Sequence, residues 1–125
     1  MIAVDTSSFI AFLAGEEGED VSLIIQAIEG EVLVLPPVVI AELLSARNLS
    51  IQTKHTILAL PQLETTLGYW QRVGNLRRTI LTKKKKANLA DSMIAVSCID
   101  YDAPLITRDR DYRHFVVDGG LRLMG

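Results

Sequence analysis

Residues 1–8 read Met1-Ile2-Ala3-Val4-Asp5-Thr6-Ser7-Ser8, and this stretch decides the fold. Ile2 to Val4 form a short unbroken apolar run, the mark of a strand buried on both faces. Asp5 ends it, and Thr6 to Ala14 follow with helical character and stop at Gly15. A buried strand that passes into a helix through a single acid is the start of a parallel crossover unit. In open sheets of such units, ligands bind beyond the carboxyl ends of the strands. Asp5 stands on that edge.

Working outward, the chain alternates in the same manner. Asp20 is placed to cap a second helix through Ile28, stopped by Gly30, and Glu31 to Leu35 read as a strand. Pro36-Pro37 ends that strand and opens a helix to about Arg47, since proline is tolerated in a helix's first turn. Ser50 to Leu60 form another helix, closed by Pro61. Gln62 to Thr65 read as a third strand, and Leu67 to Leu81 as a helix. Asn88 to Ile99 form a further helix, Pro104 to Thr107 a strand, and Leu121 to Met124 a last short strand. This order predicts one α/β domain over residues 1–125, with a mainly parallel sheet covered by helices.

With 125 residues, 49% of them hydrophobic, the chain can bury a core of ordinary size. The single Cys98 has no disulfide partner and no companion for a zinc site. No cationic leader is visible, and no apolar run approaches the roughly 18 residues of a membrane span. A soluble protein of a reducing cytoplasm is expected, with no membrane partner. The formal charge of −2 does not announce a polyanion binder, but its distribution is uneven. Thr65 to Ala90 contain no acid, yet hold Arg72, Arg77, Arg78, Lys83, Lys84, Lys85 and Lys86, seven of the thirteen cations. A local basic surface of this kind matters more to a polyanion than net charge does.

Four acids stand at or beside the ends of hydrophobic elements: Asp5, Glu42, Asp91 and Asp109. Glu42 interrupts Val38-Val39-Ile40-Ala41-Glu42-Leu43-Leu44 and shares a helical side with Val38, Val39, Ser45 and Ala46. Asp91 opens Asp91-Ser92-Met93-Ile94-Ala95-Val96, on the side of Ile94, Ala95 and Cys98. Asp109 follows Pro104-Leu105-Ile106-Thr107-Arg108. Taken singly, each has a structural role open to it. Asp5 can be a helix N-cap, Asp91 can complement a helix dipole, and Asp109 can be a turn residue. Glu42 can reach solvent or pair with Arg47. Gathered into one cleft, however, four carboxylates are costly unless a cation neutralises them.

These contexts resemble the PIN domain, and most closely the VapC-like toxins of bacterial and archaeal toxin–antitoxin pairs. The resemblance rests on Ile2-Ala3-Val4-Asp5-Thr6-Ser7, Pro36-Pro37-Val38-Val39-Ile40-Ala41-Glu42-Leu43, Leu89-Ala90-Asp91-Ser92-Met93-Ile94-Ala95 and Leu105-Ile106-Thr107-Arg108-Asp109-Arg110-Asp111-Tyr112. It covers nearly the whole chain and implies a three-layer α/β/α fold. It also implies a catalytic set of Asp5, Glu42, Asp91 and Asp109, of which Asp5, Asp91 and Asp109 hold the metal, with Ser7 and Thr107 as small polar neighbours. Asp111 competes for the fourth position. Asp109 is favoured because it directly follows Thr107-Arg108, and Asp111 is assigned to capping a short helix before Phe115. A toxin role, an antitoxin that restrains it and a homodimer come from the resemblance alone.

Oxygen ligands of this kind suit Mg²⁺ or Mn²⁺, which activate water for attack on a phosphodiester without a catalytic histidine. His55 and His114 are accordingly read as structural or exposed. An endoribonuclease is the expected activity. Arg77, Arg78 and Lys83 to Lys86 would then hold RNA phosphates without reading sequence, unless the run is a plain solvated surface. Tyr69-Trp70 can stack on bases, but packing is the preferred reading. Cys98 is read as a small core residue, and Val21, Ile24, Ile25 and Ile28 as a core face or a groove for a partner helix. The alternative in another class is a non-catalytic metal- or RNA-binding regulator with the same fold. A phosphoryl-transfer domain with Asp5 as nucleophile lacks the second Asp two residues on, where Ser7 stands.

Overall fold

Three short parallel strands form the centre of the molecule, in the order β2-β1-β3. The structure is a computed structural model that describes all 125 residues. Strand β1 (Ile2–Val4) pairs with β2 (Leu33–Val34) through Ile2–Leu33 and Ala3–Val34. On its other side it pairs with β3 (Leu105–Ile106) through Ala3–Leu105 and Val4–Ile106. Ala3, Val4, Leu105 and Ile106 are wholly buried, as central parallel strands must be.

The strands expected at Gln62–Thr65 and Leu121–Met124 are reduced to single parallel bridges, Leu35–Gln62 and Leu105–Leu123. At the first, Leu35 N–H bonds the Pro61 carbonyl (2.9 Å) and Leu63 N–H bonds the Leu35 carbonyl (3.0 Å). The next residue, Pro36, has no N–H to continue the ladder. Pro104 likewise has no N–H to extend pairing before β3, which is shorter than the Pro104–Thr107 strand expected.

Helices cover the sheet in a three-layer α/β/α arrangement. Helix α1 (Thr6–Leu13) packs on α2 (Glu19–Glu29), which contacts β2 and β3. The N-cap of α2 is Gly18, not Asp20. Asp20 lies inside the first turn because its carboxylate is taken by Arg108. Helix α3 (Pro37–Leu44) is shorter than expected, and the Ser45 hydroxyl turns back to bond the Ala41 carbonyl at 2.6 Å. The next residues, Ala46-Arg47-Asn48, contain a poor helix former at Asn48, so no further turn follows. Helix α4 (Ile51–Leu58) is capped by Ser50, whose hydroxyl accepts the Thr53 N–H at 3.0 Å.

Helix α5 (Tyr69–Thr82) starts after Gly68, whose φ of +81° requires glycine. It packs against α6 (Leu89–Asp100) and α7 (Arg113–Gly119), and α7 follows a 3₁₀ turn at Arg110–Tyr112. Helix α6 is the central helix: Ser92, Ile94, Ala95, Val96, Ser97 and Cys98 are all buried. Burial pushes the Cys98 thiol up to about 12, so it behaves as a small core residue. Tyr69 is buried too, its hydroxyl bonded to the Met93 carbonyl at 2.8 Å, whereas its neighbour Trp70 is 59% exposed. Packing, not base stacking, therefore accounts for Tyr69. Val21 and Ile24 are core residues, Ile28 packs against the core, and Ile25 is exposed. No helix is long and apolar enough to cross a membrane.

Candidate active site

Asp5 occupies the junction where β1 becomes α1, and only 3% of it is exposed. Its Oδ1 accepts the Ser8 N–H (2.9 Å), so it does cap α1. Its Oδ2 accepts the Ser7 hydroxyl (3.1 Å) and a short bond from the Thr107 hydroxyl. Burial raises the carboxyl above its ordinary value, and these donors pull the other way.

Thr107 directly follows β3, and its hydroxyl oxygen also accepts the Asp109 N–H at 3.0 Å. One side chain thus joins Asp5 to the backbone of Asp109. Asp109 in turn accepts the Asp111 N–H at 2.9 Å and caps the 3₁₀ turn. Capping falls to Asp109, and not to Asp111 as expected from the sequence. Asp111 sits within the turn and ion-pairs with Lys86 at 3.2 Å. Of these two acids, Asp109 lines the cavity.

Asp91 lies half-buried in the first turn of α6. The Tyr112 hydroxyl donates to its Oδ1 at 3.1 Å. Its carboxyl is raised first by burial, then by repulsion from Asp109, Asp5 and Glu42. Tyr112 is only 1% exposed, and its own burial beside Asp91 pushes the phenol far up. It is a fixed donor at any working pH.

Glu42 does not lie on an apolar face. Helix α3 buries Val39, Ile40 and Leu43, and turns Glu42 outward to the cleft mouth, exposed. There it accepts the Thr6 hydroxyl at 2.6 Å, and Arg47 makes no ion pair with it. Glu42 is therefore held by α1, the helix that Asp5 caps.

The four acids line one cavity of about 280 Å³ together with Thr6, Ser7, Ile10, Ile94 and Tyr112. No lysine, arginine or histidine lines it. Its donor set is all oxygen, which suits hard cations such as Mg²⁺ or Mn²⁺. No three of the acidic side chains converge closely enough to form a closed cage. That is compatible with a hydrated Mg²⁺, which one or two carboxylates hold while several waters remain. Thr6 and Tyr112 are the site residues to which the sequence reading assigned no role. Their signal was position: Thr6 directly follows Asp5, and Tyr112 lies one helical turn beyond Asp109.

The basic stretch is only partly free. Lys83 ion-pairs with Asp118, and Lys86 pairs with Asp111. The Arg77 Nε donates to the Ala87 carbonyl at 2.9 Å. Lys84 and Arg78 are exposed and unpaired, and Lys85 is half-buried. His55 is exposed and His114 half-buried, both away from the acids.

The raised carboxyls set a pH dependence. Asp5 and Asp91 bind protons more tightly folded than unfolded. Their contribution is fully present below the unfolded value of 3.8 and is lost as pH rises through the raised folded values. Asp20 and Asp118 are lowered, so their opposite effect acts below that window. With metal chelated, stability to urea should fall from about pH 4 towards neutrality, and Asp91→Asn should flatten that slope. At neutral pH the variant should be as stable as the wild type or more so. A variant with an unchanged slope would show that Asp91 carries no such penalty.

The sequence profile of the PIN domain matches residues 2–117. No curated protein sequence matches significantly. Among solved structures, the chain is similar to FitAcB from Neisseria gonorrhoeae, with 20% identity, a TM-score of 0.72, and coverage of 100% of this chain and 97% of that one. It is also similar to VapBC2 from Rickettsia felis, bound to a DNA fragment from its promoter, with 17% identity, a TM-score of 0.72, and coverage of 99% and 98%. A third is VapBC-5 of the toxin–antitoxin systems of Mycobacterium tuberculosis, with 20% identity, a TM-score of 0.58, and coverage of 98% and 94%. The strand–acid–helix start, the outward Glu42, the acid opening α6 and the acid capping the turn after β3 all fall within the matched residues, and the chain belongs to the PIN domain family.

Proposed function

We propose that this chain is a Mg²⁺- or Mn²⁺-dependent endoribonuclease, acting as one domain over residues 1–125 and serving as the toxin of a VapBC-like pair. PIN domains are in general nucleases. The observation that carries the reading is one cavity lined by Asp5, Glu42, Asp91 and Asp109 with no cationic side chain among its lining residues. No cationic side chain of the lining neutralises these carboxylates, and an all-oxygen donor set suits a hard divalent ion.

Asp5, Asp91 and Asp109 are the residues that would hold the ion, one or two of them directly and the rest through its bound waters. When bound, it supplies Lewis acidity and a water of lowered pKa for attack on an RNA phosphodiester. The chain's own groups do the rest. Thr107 keeps the Asp5 carboxylate fixed and presents Asp109 beside it. Tyr112 orients Asp91 through a bond that persists at any working pH. Glu42, held by Thr6 at the open side, is placed to orient water or accept a proton. Ile10 and Ile94 form the apolar part of the wall.

Partners follow from the surfaces. Lys84 and Arg78 are the exposed, unpaired cations for RNA phosphates. A groove of about 370 Å³ adjoins the cleft, shares Ile10 and Glu42 with it, and continues through Leu13, Leu43 and Leu49. We assign it to the apolar face of an antitoxin segment, as would suit relatives solved as toxin–antitoxin complexes. A second groove of about 520 Å³, with Trp70, Leu81 and Leu89, offers the apolar surface for a homodimer, and because Arg78 also lines it, Lys84 is the RNA contact that such a dimer leaves clear.

Three measurements test this. Asp91→Asn keeps shape but removes a ligand charge, so Mn²⁺-dependent cleavage of single-stranded RNA should fall at least about 100-fold, about 2.7 kcal/mol of barrier. Near wild-type activity in purified Asp91→Asn and Asp5→Asn would remove the metal-nuclease reading. The pair Arg78→Gln with Lys84→Gln should flatten the salt dependence of RNA binding by about 0.7 in slope per lost phosphate contact. An unchanged slope would mean that RNA runs elsewhere. Leu13→Asp should leave RNA cleavage intact yet weaken inhibition by the cognate antitoxin at least about tenfold. Full inhibition would move the antitoxin to another face.

A further inference from the structure

Arg108 separates Thr107 from Asp109, yet it does not line the cavity. Its guanidinium is spent on α2. The Nε donates to Asp20 Oδ2 at 2.7 Å and Nη2 to Asp20 Oδ1 at 3.3 Å, a two-pronged arrangement. The remaining Nη1 reaches Glu16 Oε1 at 3.4 Å. Two-pronged arginine–carboxylate pairs fix orientation as well as distance. The Asp20 side chain is only 10% exposed, and Arg108 holds its carboxyl below the ordinary range, so the pair stays charged.

The surroundings are built around this pair. A Cβ at Gly18 would stand 2.6 Å from Asp20 Oδ1 and 3.5 Å from Arg108 Nη2, and the Gly18 φ of +155° suits glycine as well. The wholly buried Ser8 hydroxyl lies near both the Asp5 and the Asp20 carboxylates and favours the charged form of each. It makes no well-formed hydrogen bond to either. One face of the Thr107–Asp109 segment is thus tied to Asp5 through the Thr107 hydroxyl, and the other to α2 through Arg108. The charge of Arg108, matched by Asp20 and Glu16, is not available to neutralise the carboxylates in place of a metal.

We propose that the Arg108–Asp20 pair is a positioning element of the active site. It holds the Thr107–Asp109 segment so that the Thr107 hydroxyl aligns Asp5 and Asp109 before the ion arrives. Neither Arg108 nor Asp20 touches the reacting atoms. This inference rests on the metal-nuclease reading.

The test uses Arg108→Gln and Asp20→Asn in the full chain, titrated with Mn²⁺ by calorimetry well below each variant's melting temperature. Both should bind Mn²⁺ at least about threefold more weakly, short of the roughly tenfold that follows loss of a direct outer partner of a metal ligand. The kcat should fall while the KM for RNA stays put. Arg108→Lys, which keeps one contact to Asp20, should recover part of the Mn²⁺ affinity and also serves if Arg108→Gln does not fold. Mn²⁺ affinity within about twofold of wild type in both variants, with only melting temperature lowered, would overturn the inference and leave a plain structural ion pair. A raised KM with unchanged Mn²⁺ binding in Arg108→Gln alone would overturn it in favour of a direct contact to RNA. Absence of Mn²⁺ binding in the wild type would instead sink the metal-nuclease reading, and this inference with it.

Discussion

A carboxylate buried at the end of a central strand is the constraint from which the rest of the structure follows. Asp5 cannot be ionised there without donors, and three arrive from two separate elements: Ser7 and Ser8 from the start of α1, and Thr107 from the end of β3. Satisfying this one group fixes how the helix leaves β1 and where the chain must run after β3. It also draws Asp109 close, because the same threonine oxygen accepts the Asp109 N–H. The partial satisfaction is informative. The donors only partly offset the effect of burial, so the carboxyl stays raised.

The division of labour among the other acids fits that picture. Asp91 is held at a helix start by a buried phenol, Glu42 at a helix's outer face by a threonine, and Asp109 at a turn by the Asp111 N–H. Each rests on a different element, so their mutual repulsion is resisted by the packing of the whole fold. Burial is the larger cause of the shift at Asp91, and repulsion only the second. The four acids can therefore share one cavity with no three of them in tight contact.

The parallel sheet, the helix order and the gathering of Asp5, Glu42, Asp91 and Asp109 around one cavity were legible in the sequence, because apolar runs ending in acids carry both strand and edge. What was not legible was decided by partners distant in sequence. Asp20 looked like a cap, but an arginine 88 residues away claims it. Asp111 looked like a cap, but Asp109 reaches its N–H first and Lys86 takes its carboxylate. Glu42 shares a helical side with Val38 and Val39 in sequence, and a helical wheel cannot say which of two flanking faces meets the core. Gln62–Thr65 and Leu121–Met124 had strand composition, yet a neighbouring proline or a single partner residue limited each to one bridge. In sequence the lysine run looks like one surface, whereas two of its members are committed to acids on the following segments.

Trp70 gives the molecule a built-in optical property. It is the only tryptophan, it stands 59% exposed beside an edge-on Tyr69 ring 5.0 Å away, and it lies in the groove on α5, away from the acids. Indole emission depends on local solvent, so the intrinsic fluorescence of this chain reports what covers α5 and is nearly blind to occupancy of the cleft. A blue shift on concentration registers contact at that face, while events at the carboxylates pass unseen. The two surfaces can thus be followed separately in one unlabelled sample.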